Sequence, residues 1–227
     1  MSEHIPVIAI DGPSGVGKGM VTRWLADRLR WHRLDSGALY RILALIAQHA
    51  GVDLGNTEAV AALGRQMEIR FDGNSETDET ILIDGRDWTA DIRAESAGAL
   101  ASRIAVVPEI RAALLQRQRD FRRSPGLVCD GRDMGTVVFP DADLKIFLDA
   151  EVAERARRRW LQLRSSGANA SLDDLCTDLQ LRDQRDRNRV VAPLRPADDA
   201  IRIDTTHLTP SEVLDRVGAL ATERGFG

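Results

Sequence analysis

A glycine-rich loop near the amino terminus constrains the fold of this chain most strongly. The loop follows an apolar, β-branched run at residues 6–11, and apolar residues recur with helical spacing from Met20 onward. Glycines allow successive backbone N–H groups to face one anion at a helix N-terminus, and a lysine at this spacing reaches the outer phosphate oxygens. The sequence therefore predicts a phosphate-binding P-loop, made of Gly12, Pro13, Ser14, Gly15, Val16, Gly17, Lys18, Gly19 and Met20.

The loop lysine is unusual in this chain. Of the 31 lysine and arginine residues, only Lys18 and Lys145 are lysines. A compositional bias accounts for the scarcity, but lysine and arginine are not interchangeable at a tight phosphate site. We therefore expect a chemical reason for lysine, in place of arginine, at position 18.

Strands alternate with helices along most of the chain. Apolar, β-branched runs predict strands at residues 6–11, 31–34, 127–130, 144–148 and 200–204. Helical patterns predict helices at residues 20–29, 37–50, 57–67, 94–105, 108–123, 151–164 and 171–191, and a last helix from Thr209, with Ser36, Asn56 and Thr209 as caps. The alternation predicts an α/β fold with a parallel sheet and helices on both faces. Residues 68–89 differ, and their short alternating runs predict a small antiparallel insert with hairpin turns.

The composition argues against several classes of protein. Hydrophobic residues make up 43% and the net charge is −4, which is typical of a globular protein and disfavours nucleic-acid binding. Cys129 and Cys176 have no metal-ligand spacing, so we expect reduced thiols and name no metal-ligating residue. Residues 1–6 have no basic region and the apolar run 7–10 is too short for a signal peptide, so we expect none, and no run approaches the roughly 20 apolar residues that span a bilayer. We expect a cytoplasmic protein, by default a monomer, with no membrane partner.

Two classes of P-loop protein lack their usual elements here. The guanine-reading pattern N-K-x-D is absent, because Leu144 precedes the only lysine outside the loop. The strands that end at Asp130 and Asp149 are followed by Gly131 and Ala150, not by the glutamate of a typical ATPase. These absences favour phosphoryl transfer to a bound acceptor over hydrolysis.

Arginines occur where a phosphorylated acceptor would need them. Arg41 follows the second strand and Arg132 follows the third, at the sheet edge where such folds bind ligands. Arg182, Arg185 and Arg189 have the spacing of one helical face. That last run also fits a solvated helix with internal ion pairs, and the arginines within residues 155–159 fit either a solvated surface or a mobile lid.

Four motifs together resemble bacterial cytidylate kinases over nearly the whole chain. They are Ile10-Asp-Gly-Pro-Ser-Gly-Val-Gly-Lys-Gly19, Leu34-Asp-Ser-Gly-Ala-Leu-Tyr-Arg41, Asp130-Gly-Arg-Asp-Met-Gly-Thr-Val-Val-Phe-Pro-Asp141 and Arg182-Asp-Gln-Arg-Asp-Arg-Asn-Arg189. The resemblance implies a parallel five-stranded P-loop kinase core, a small antiparallel β/α monophosphate-binding insert and a short helical lid. The core would comprise residues 1–37, 108–152 and 190–227, the monophosphate-binding domain residues 38–107, and the lid residues 153–189.

The resemblance also implies roles for individual residues. Ser36, Tyr40, Arg41, Arg132 and Arg189 would bind the acceptor, mainly at its phosphate. Arg111 and Asp133, with Ser102, would read cytosine, because a donor and an acceptor so placed match cytosine and mismatch uracil. Arg182 and Asp186 would contact the sugar. Lys18, Arg132, Arg158 and Arg189 would stabilise the transferring phosphoryl group.

The implied reaction is transfer of the γ-phosphoryl group of ATP to CMP or dCMP with Mg²⁺, by positioning and electrostatics and without a protein nucleophile. The chain departs from the family at Met20, where a threonine is usual. Two alternatives stay open at this point. One is a UMP-preferring or other small-molecule P-loop kinase, and the other is a catalytically weak nucleotide-binding relative.

Overall fold

The structure is a computed structural model and describes residues 4–67, 69–72, 80–83, 86–165 and 167–227. Its strands are β1 (Val7–Asp11), β2 (His32–Asp35), β3 (Ile69–Asp72), β4 (Thr80–Ile83), β5 (Arg86–Asp87), β6 (Leu127–Gly131), β7 (Leu144–Asp149) and β8 (Ile201–Asp204). Its helices are α1 (Lys18–Leu29), α2 (Ser36–His49), α3 (Thr57–Gln66), α4 (Thr89–Arg93), α5 (Glu95–Ile104), α6 (Pro108–Arg119), α7 (Val152–Ser165), α8 (Leu172–Arg187) and α9 (Pro210–Glu223).

The chain divides into two compact units. The core unit contains the residues up to Leu34 and Phe121–Gly227, and the inserted unit is Asp35–Asp120. The domain limits named from the sequence, with an insert at 38–107 and a lid at 153–189, stay predictions.

A five-stranded sheet forms the centre of the core unit. Its strand order is β2-β6-β1-β7-β8, and β1 runs parallel to both of its neighbours, as β7 does to β8. The order is not sequential because each parallel pair needs a crossover connection, which the helices supply. The predicted α/β fold with a parallel five-stranded sheet is confirmed.

Both faces of the sheet are covered. Ile8 and Ile10 point to one face, where they pack with Leu25 of α1 and Val217 of α9 in one hydrophobic cluster. The alternate residues of β1 are also buried, with Ala9 only 1% exposed. Since successive strand residues face opposite sides, β1 is buried on both. The carboxyl ends of β1 and β6 are thereby fixed next to each other, with Asp11 opposite Gly131.

The second lysine of the chain has a structural role. Lys145 is buried in β7, and its Nζ donates to the Pro140 carbonyl oxygen at 2.6 Å and pairs with Asp199. A Cβ atom on Gly135 would lie 3.1 Å from Lys145 Cδ, so the lysine stem fills the space against the backbone there. Lys145 therefore stabilises the loop that contains Pro140. Lys18 is the lysine that lies in the P-loop.

The inserted unit has its own hydrophobic core. Helices α2, α3, α5 and α6 surround Leu43, Val60, Ile104 and Leu114, all at most 1% exposed. Strands β3, β4 and β5 form an antiparallel three-stranded sheet, as predicted for residues 68–89. The predicted turn residues 73–75 and 84–85 lie outside the described residues.

The predicted cap of α2 is wrong by one residue. Ser36 is already helical, and the side chain of Asp35 accepts the backbone N–H of Ala38 at 3.0 Å. Both residue types favour the cap position, and in the folded chain Asp35 occupies it. The caps predicted at Asn56 and Thr209 are confirmed, the latter as a capping box with Glu212.

Helix α8 ends earlier than predicted. It stops at Arg187, so Arg189 does not continue the helical face of Arg182 and Arg185 as the spacing suggested. Ala192 has a φ of 53° and precedes Pro193, which disfavours helical conformation at the residue before it. The backbone N–H of Leu194 then returns to the Asp186 carbonyl oxygen at 2.8 Å. Arg189 is thus folded back toward α8.

Helices α7 and α8 pack together around Ala156, Leu175 and Leu179.

The described part of the chain contains no helix long and apolar enough to cross a membrane.

Candidate functional site

The P-loop lies between β1 and α1 of the core unit, as the sequence predicted. Gly12 has a φ of 152°, and a Cβ atom there would overlap the carbonyl oxygen of Leu148. Only glycine fits this position. Lys18 is 7% exposed, and its Nζ donates to the carbonyl oxygens of Gly12 and Pro13 at 2.9 and 2.7 Å. The ammonium group is held within its own loop, and binding of a phosphate by the backbone N–H groups of this loop stays a prediction.

Met20 and Thr22 occupy different sides of α1. The Met20 side chain is at the surface, 38% exposed, whereas Thr22 is fully buried and its Oγ1 has no hydrogen-bond partner in the described residues. The two side chains lie about 200° apart around a helix with 3.6 residues per turn. Thr22 therefore does not supply the hydroxyl that Met20 lacks.

A buried carboxylate joins the P-loop to the segment after β6. Asp11, which directly precedes the loop, accepts the backbone N–H groups of Met134 and Gly135, both at 2.8 Å. These two residues begin the short helical segment Met134–Val138, immediately after Arg132 and Asp133. Sequence reasoning missed this role, although an acid at the end of a buried strand next to a glycine loop was a visible signal.

Burial raises the pKa of the Asp11 carboxyl to about 6. The two backbone hydrogen bonds oppose this shift, the charge of Asp133 adds to it, and Lys18 lowers the pKa. The folded state consequently binds the proton more tightly than the unfolded chain, in which aspartate has a pKa near its ordinary value of 3.8. The contribution of Asp11 to stability therefore grows as the pH falls from about 6 toward 4.

Replacing Asp11 by asparagine is expected to remove this pH dependence. The free energy of unfolding of the natural chain, relative to Asp11→Asn, should rise by about 1 kcal/mol between pH 7 and pH 5, because the pKa difference makes the folded state take up the proton first. Urea unfolding of both proteins at the two pH values measures it, and titrations common to both cancel. An equal stability difference at pH 7 and pH 5 would contradict the assignment.

Three of the predicted acceptor residues are brought together at the end of α8. The Nε of Arg132 pairs with the Asp186 carboxylate at 2.9 Å, and Arg189 Nε donates to the Asp186 backbone carbonyl at 3.3 Å. Asp186 and Arg189 are each 7% exposed. Arg132 follows β6, so the sheet edge and the helix end converge on one charged cluster. Arg182 lies one turn earlier in α8.

Arg158 is held by the segment that follows β8. Its guanidinium donates to the carbonyl oxygen of Thr205 and to Thr205 Oγ1, and it pairs with Glu154 one turn earlier in α7. Its predicted catalytic role stays a prediction. Arg155 of α7 contacts the P-loop, because its Nη1 donates to the Ser14 carbonyl oxygen at 2.9 Å. The arginine-rich pattern gave no signal that separated Arg155 from its neighbours.

The remaining predicted residues belong to the inserted unit. The guanidinium carbon of Arg111 lies 5.8 Å from the centre of the Tyr40 ring, and Arg111 also donates to the Ala105 carbonyl oxygen. Arg41 donates to the carbonyl oxygen of Ile92 at 3.2 Å. Two hydroxyls differ in their use: Ser36 Oγ donates to Gln118, while the buried Ser102 Oγ has no hydrogen-bond partner in the described residues.

Comparison with known proteins identifies the family of the chain. The family model for cytidylate kinase matches residues 8–223. The chain belongs to the cytidylate kinase family. It is 52% identical to the cytidylate kinase of Stutzerimonas stutzeri over 228 residues, 99% of this chain and 98% of that protein. It is 50% identical to the one from Aeromonas salmonicida (99% and 97% coverage) and 53% identical to the one from Pseudomonas entomophila (96% and 96%).

Membership of the cytidylate kinase family confirms three predictions. The chain is a kinase, it belongs to the transferases, and it binds nucleotides. The resemblance drawn from four motifs is also confirmed, since the family match extends over nearly the whole sequence. The roles of single residues in the cytidylate kinase reaction stay predictions.

Proposed function

We propose that the chain transfers the γ-phosphoryl group of ATP to CMP or dCMP, giving ADP and CDP or dCDP. The observation that carries the proposal is a P-loop lysine and a partly buried arginine–aspartate cluster at the sheet edge of a chain about half identical, end to end, to cytidylate kinases. Binding two polyanions together requires this concentration of cationic groups.

On the donor side, the loop from Gly12 to Met20 holds the ATP phosphates through backbone N–H groups. Lys18, which donates to Gly12 and Pro13 in the structure, exchanges these carbonyl oxygens for phosphate oxygens. Its charge stabilises the transferring phosphoryl group, and Arg158 adds a second charge from α7. Because the loop is shaped before ATP binds, it stabilises developing charge without having to reorganise.

On the acceptor side, Arg132 and Arg189 bind the monophosphate, with Ser36, Tyr40 and Arg41. Arg182 and Asp186 contact the sugar. Asp186 orients Arg132 through a charge-assisted hydrogen bond, so the guanidinium is already held in place. The acceptor oxygen is then positioned for in-line attack, and no covalent enzyme intermediate is needed.

Arg111, Asp133 and Ser102 read the cytosine base. Asp133 is 4% exposed, and its carboxylate accepts hydrogen bonds, which suits the exocyclic amino group of cytosine. The buried Ser102 Oγ has no hydrogen-bond partner in the described residues, as expected of a group that waits for a ligand.

The donor chemistry fits Mg²⁺ bound through the nucleotide. The described residues hold no group of three or more His, Cys, Asp or Glu side chains suited to a metal ion. Mg²⁺ in kinase sites keeps several waters and binds largely through substrate phosphates, so Mg²⁺ bound with ATP fits a loop ending in Met20. When bound, it would neutralise part of the negative charge of the ATP phosphates. We also propose a cytoplasmic monomer.

The test is initial-rate phosphoryl transfer from ATP and Mg²⁺ to CMP, dCMP, UMP, AMP and shikimate in parallel. Fast turnover of CMP and dCMP, with little of the others, supports the proposal. Preference for another acceptor would overturn it. Binding of CMP without turnover of any acceptor would favour the catalytically weak relative instead.

Restoring the hydroxyl at position 20 is expected to tighten ATP binding. Met20→Thr should lower the KM for ATP by about 10-fold, the lower end of the effect of one hydrogen bond to a charged group, and leave the KM for CMP unchanged. Steady-state kinetics with each substrate varied would measure both constants. Met20→Val is the matched control, since it has the shape of threonine without the hydroxyl. Equal effects of Thr and Val would contradict the explanation.

A further inference from the structure

Arg155 is a buried arginine to which the proposed reaction assigns no part. It lies in α7 and is 2% exposed, whereas Arg157, two residues on, has a side chain that is 57% exposed. Burying a guanidinium is costly unless its donors are paired. The contacts of Arg155 therefore indicate what the chain gains by placing a cation at this position.

The guanidinium of Arg155 connects three parts of the core unit. Its Nε donates to the carbonyl oxygen of Ala150 at 2.9 Å, at the end of β7. Its Nη1 donates to the Ser14 carbonyl oxygen of the P-loop at 2.9 Å. Nη1 and Nη2 together bind both carboxylate oxygens of Asp183 in α8, at 3.2 and 2.5 Å. Such a bidentate pair fixes the plane of the guanidinium.

The P-loop rests directly on this side chain. A Cβ atom on Gly15 would lie 3.2 Å from Arg155 Cβ, and the φ of Gly15 is 82°, in the left-handed region. The hydrogen bond to Ser14 holds the preceding carbonyl group toward Arg155. A loop that binds phosphate through backbone N–H groups works only while its peptide planes keep their orientation. Arg155 is placed to maintain it.

Helix α8 carries the other half of the connection. Asp183 and Asp186 are three residues apart and 6% and 7% exposed, so they share one buried side of the helix. Asp183 pairs with Arg155, and Asp186 pairs with Arg132. One helix therefore holds the arginine beneath the P-loop and the arginine proposed to bind the acceptor phosphate.

We infer that Arg155, paired with Asp183, is a positioning residue that holds the P-loop in its phosphate-binding shape and in register with α8 and Arg132. The inference rests on the proposed phosphoryl transfer and adds to it a residue that touches neither substrate. Lysine cannot replace Arg155, because one ammonium group cannot reach Ser14, Ala150 and both oxygens of Asp183 in a planar arrangement.

The test is Arg155→Lys, with Arg216→Lys as the matched control on the exposed surface of α9. We expect the kcat for CMP phosphorylation to fall by about 10- to 100-fold, since a shift near 1 Å in a positioned group can cost this much. Binding of a non-hydrolysable ATP analogue should weaken, whereas CMP binding to the free enzyme should stay within about twofold. The control should match the natural chain in all three measurements.

A second variant separates positioning from a merely structural role. Asp183→Asn keeps the shape of Asp183 and removes its charge, and we expect the same split between kcat and CMP binding. Because the two residues share one contact, Arg155→Lys with Asp183→Asn should lose about as much as the larger single change, not the product. If the losses only follow the folded fraction, measured by thermal unfolding, or if Arg155→Lys equals its control, the inference is overturned.

The inference about Arg155 can still be tested if the natural chain does not phosphorylate CMP. That result would overturn the proposed function, and analogue binding would then test the inference alone. Weaker binding to Arg155→Lys than to Arg216→Lys would still support the role of Arg155 at the P-loop, and equal binding would overturn it.

Discussion

Lys18→Ala is expected to reduce the kcat for CMP phosphorylation by about 10³-fold, the upper range for removing one preorganised donor from a transition state. The structure supports a large effect, because Lys18 is 7% exposed and donates to two carbonyl oxygens of its own loop. The ammonium group is thus already at the site before ATP arrives. Its loss removes a positive charge from the place where the transferring phosphate oxygens become more negative. The second lysine, Lys145, cannot replace it, because Lys145 is bonded to Pro140 and Asp199.

The binding of CMP to Lys18→Ala should change by less than about threefold, since the acceptor does not need this charge in the ground state. Steady-state kinetics give kcat, and calorimetric titration of CMP gives the affinity. Arg23→Ala is the matched control, because it removes a positive charge from the exposed side of the same helix. Equal losses of kcat and CMP affinity would contradict the role assigned to Lys18.

The elements that sequence reasoning located are those determined by local chemistry. The P-loop was predictable because glycines, a lysine and a preceding apolar strand have a strict order. The buried strands β1, β6 and β7 were predictable for a similar reason, because their apolar runs are short and bounded by turns. The capping box of α9 was predictable because it depends on only four consecutive residues, from Thr209 to Glu212.

The errors arose where neighbouring residues compete. Asp35 and Ser36 are both good cap residues, and only the folded chain shows that the Asp35 carboxylate reaches Ala38. The charged pattern of α8 continues to Arg189, but the chain turns back before Pro193. Neither outcome follows from the propensities of single residues, because each depends on how several neighbouring residues fold together.

The residues that were missed are buried charges. Arg155 has neighbours in sequence that are similar in type and differ in environment, and Asp11 lies between an apolar strand and the glycine-rich loop. Arg155 is 2% exposed because it meets Ser14 from another part of the chain and Asp183 from α8. A sequence lists the charges but does not show which of them fold inward, so the supports of the P-loop became visible only with the structure.

Asp133→Asn is expected to make the enzyme accept UMP. The Asp133 carboxylate can only accept hydrogen bonds, which matches the amino group of cytosine and mismatches the carbonyl group that uracil presents there. An asparagine amide can donate or accept, so the variant should bind either base. We expect the ratio of kcat/KM for CMP to that for UMP to fall by about 10- to 100-fold, the cost of one buried unsatisfied group.

The geometry makes this a test of base reading and not of folding. Asp133 is 4% exposed, and its charge contributes to the raised pKa of Asp11, so neutralising it relieves repulsion in the core unit. The variant should therefore remain folded and keep its turnover of CMP within about tenfold, since asparagine retains one acceptor oxygen. Asp141→Asn is the matched control in the same motif, where the side chain is 63% exposed and pairs with Arg122. If Asp133→Asn discriminates CMP from UMP as well as Asp141→Asn does, cytosine is read by other residues, with Arg111 and Ser102 the next to test.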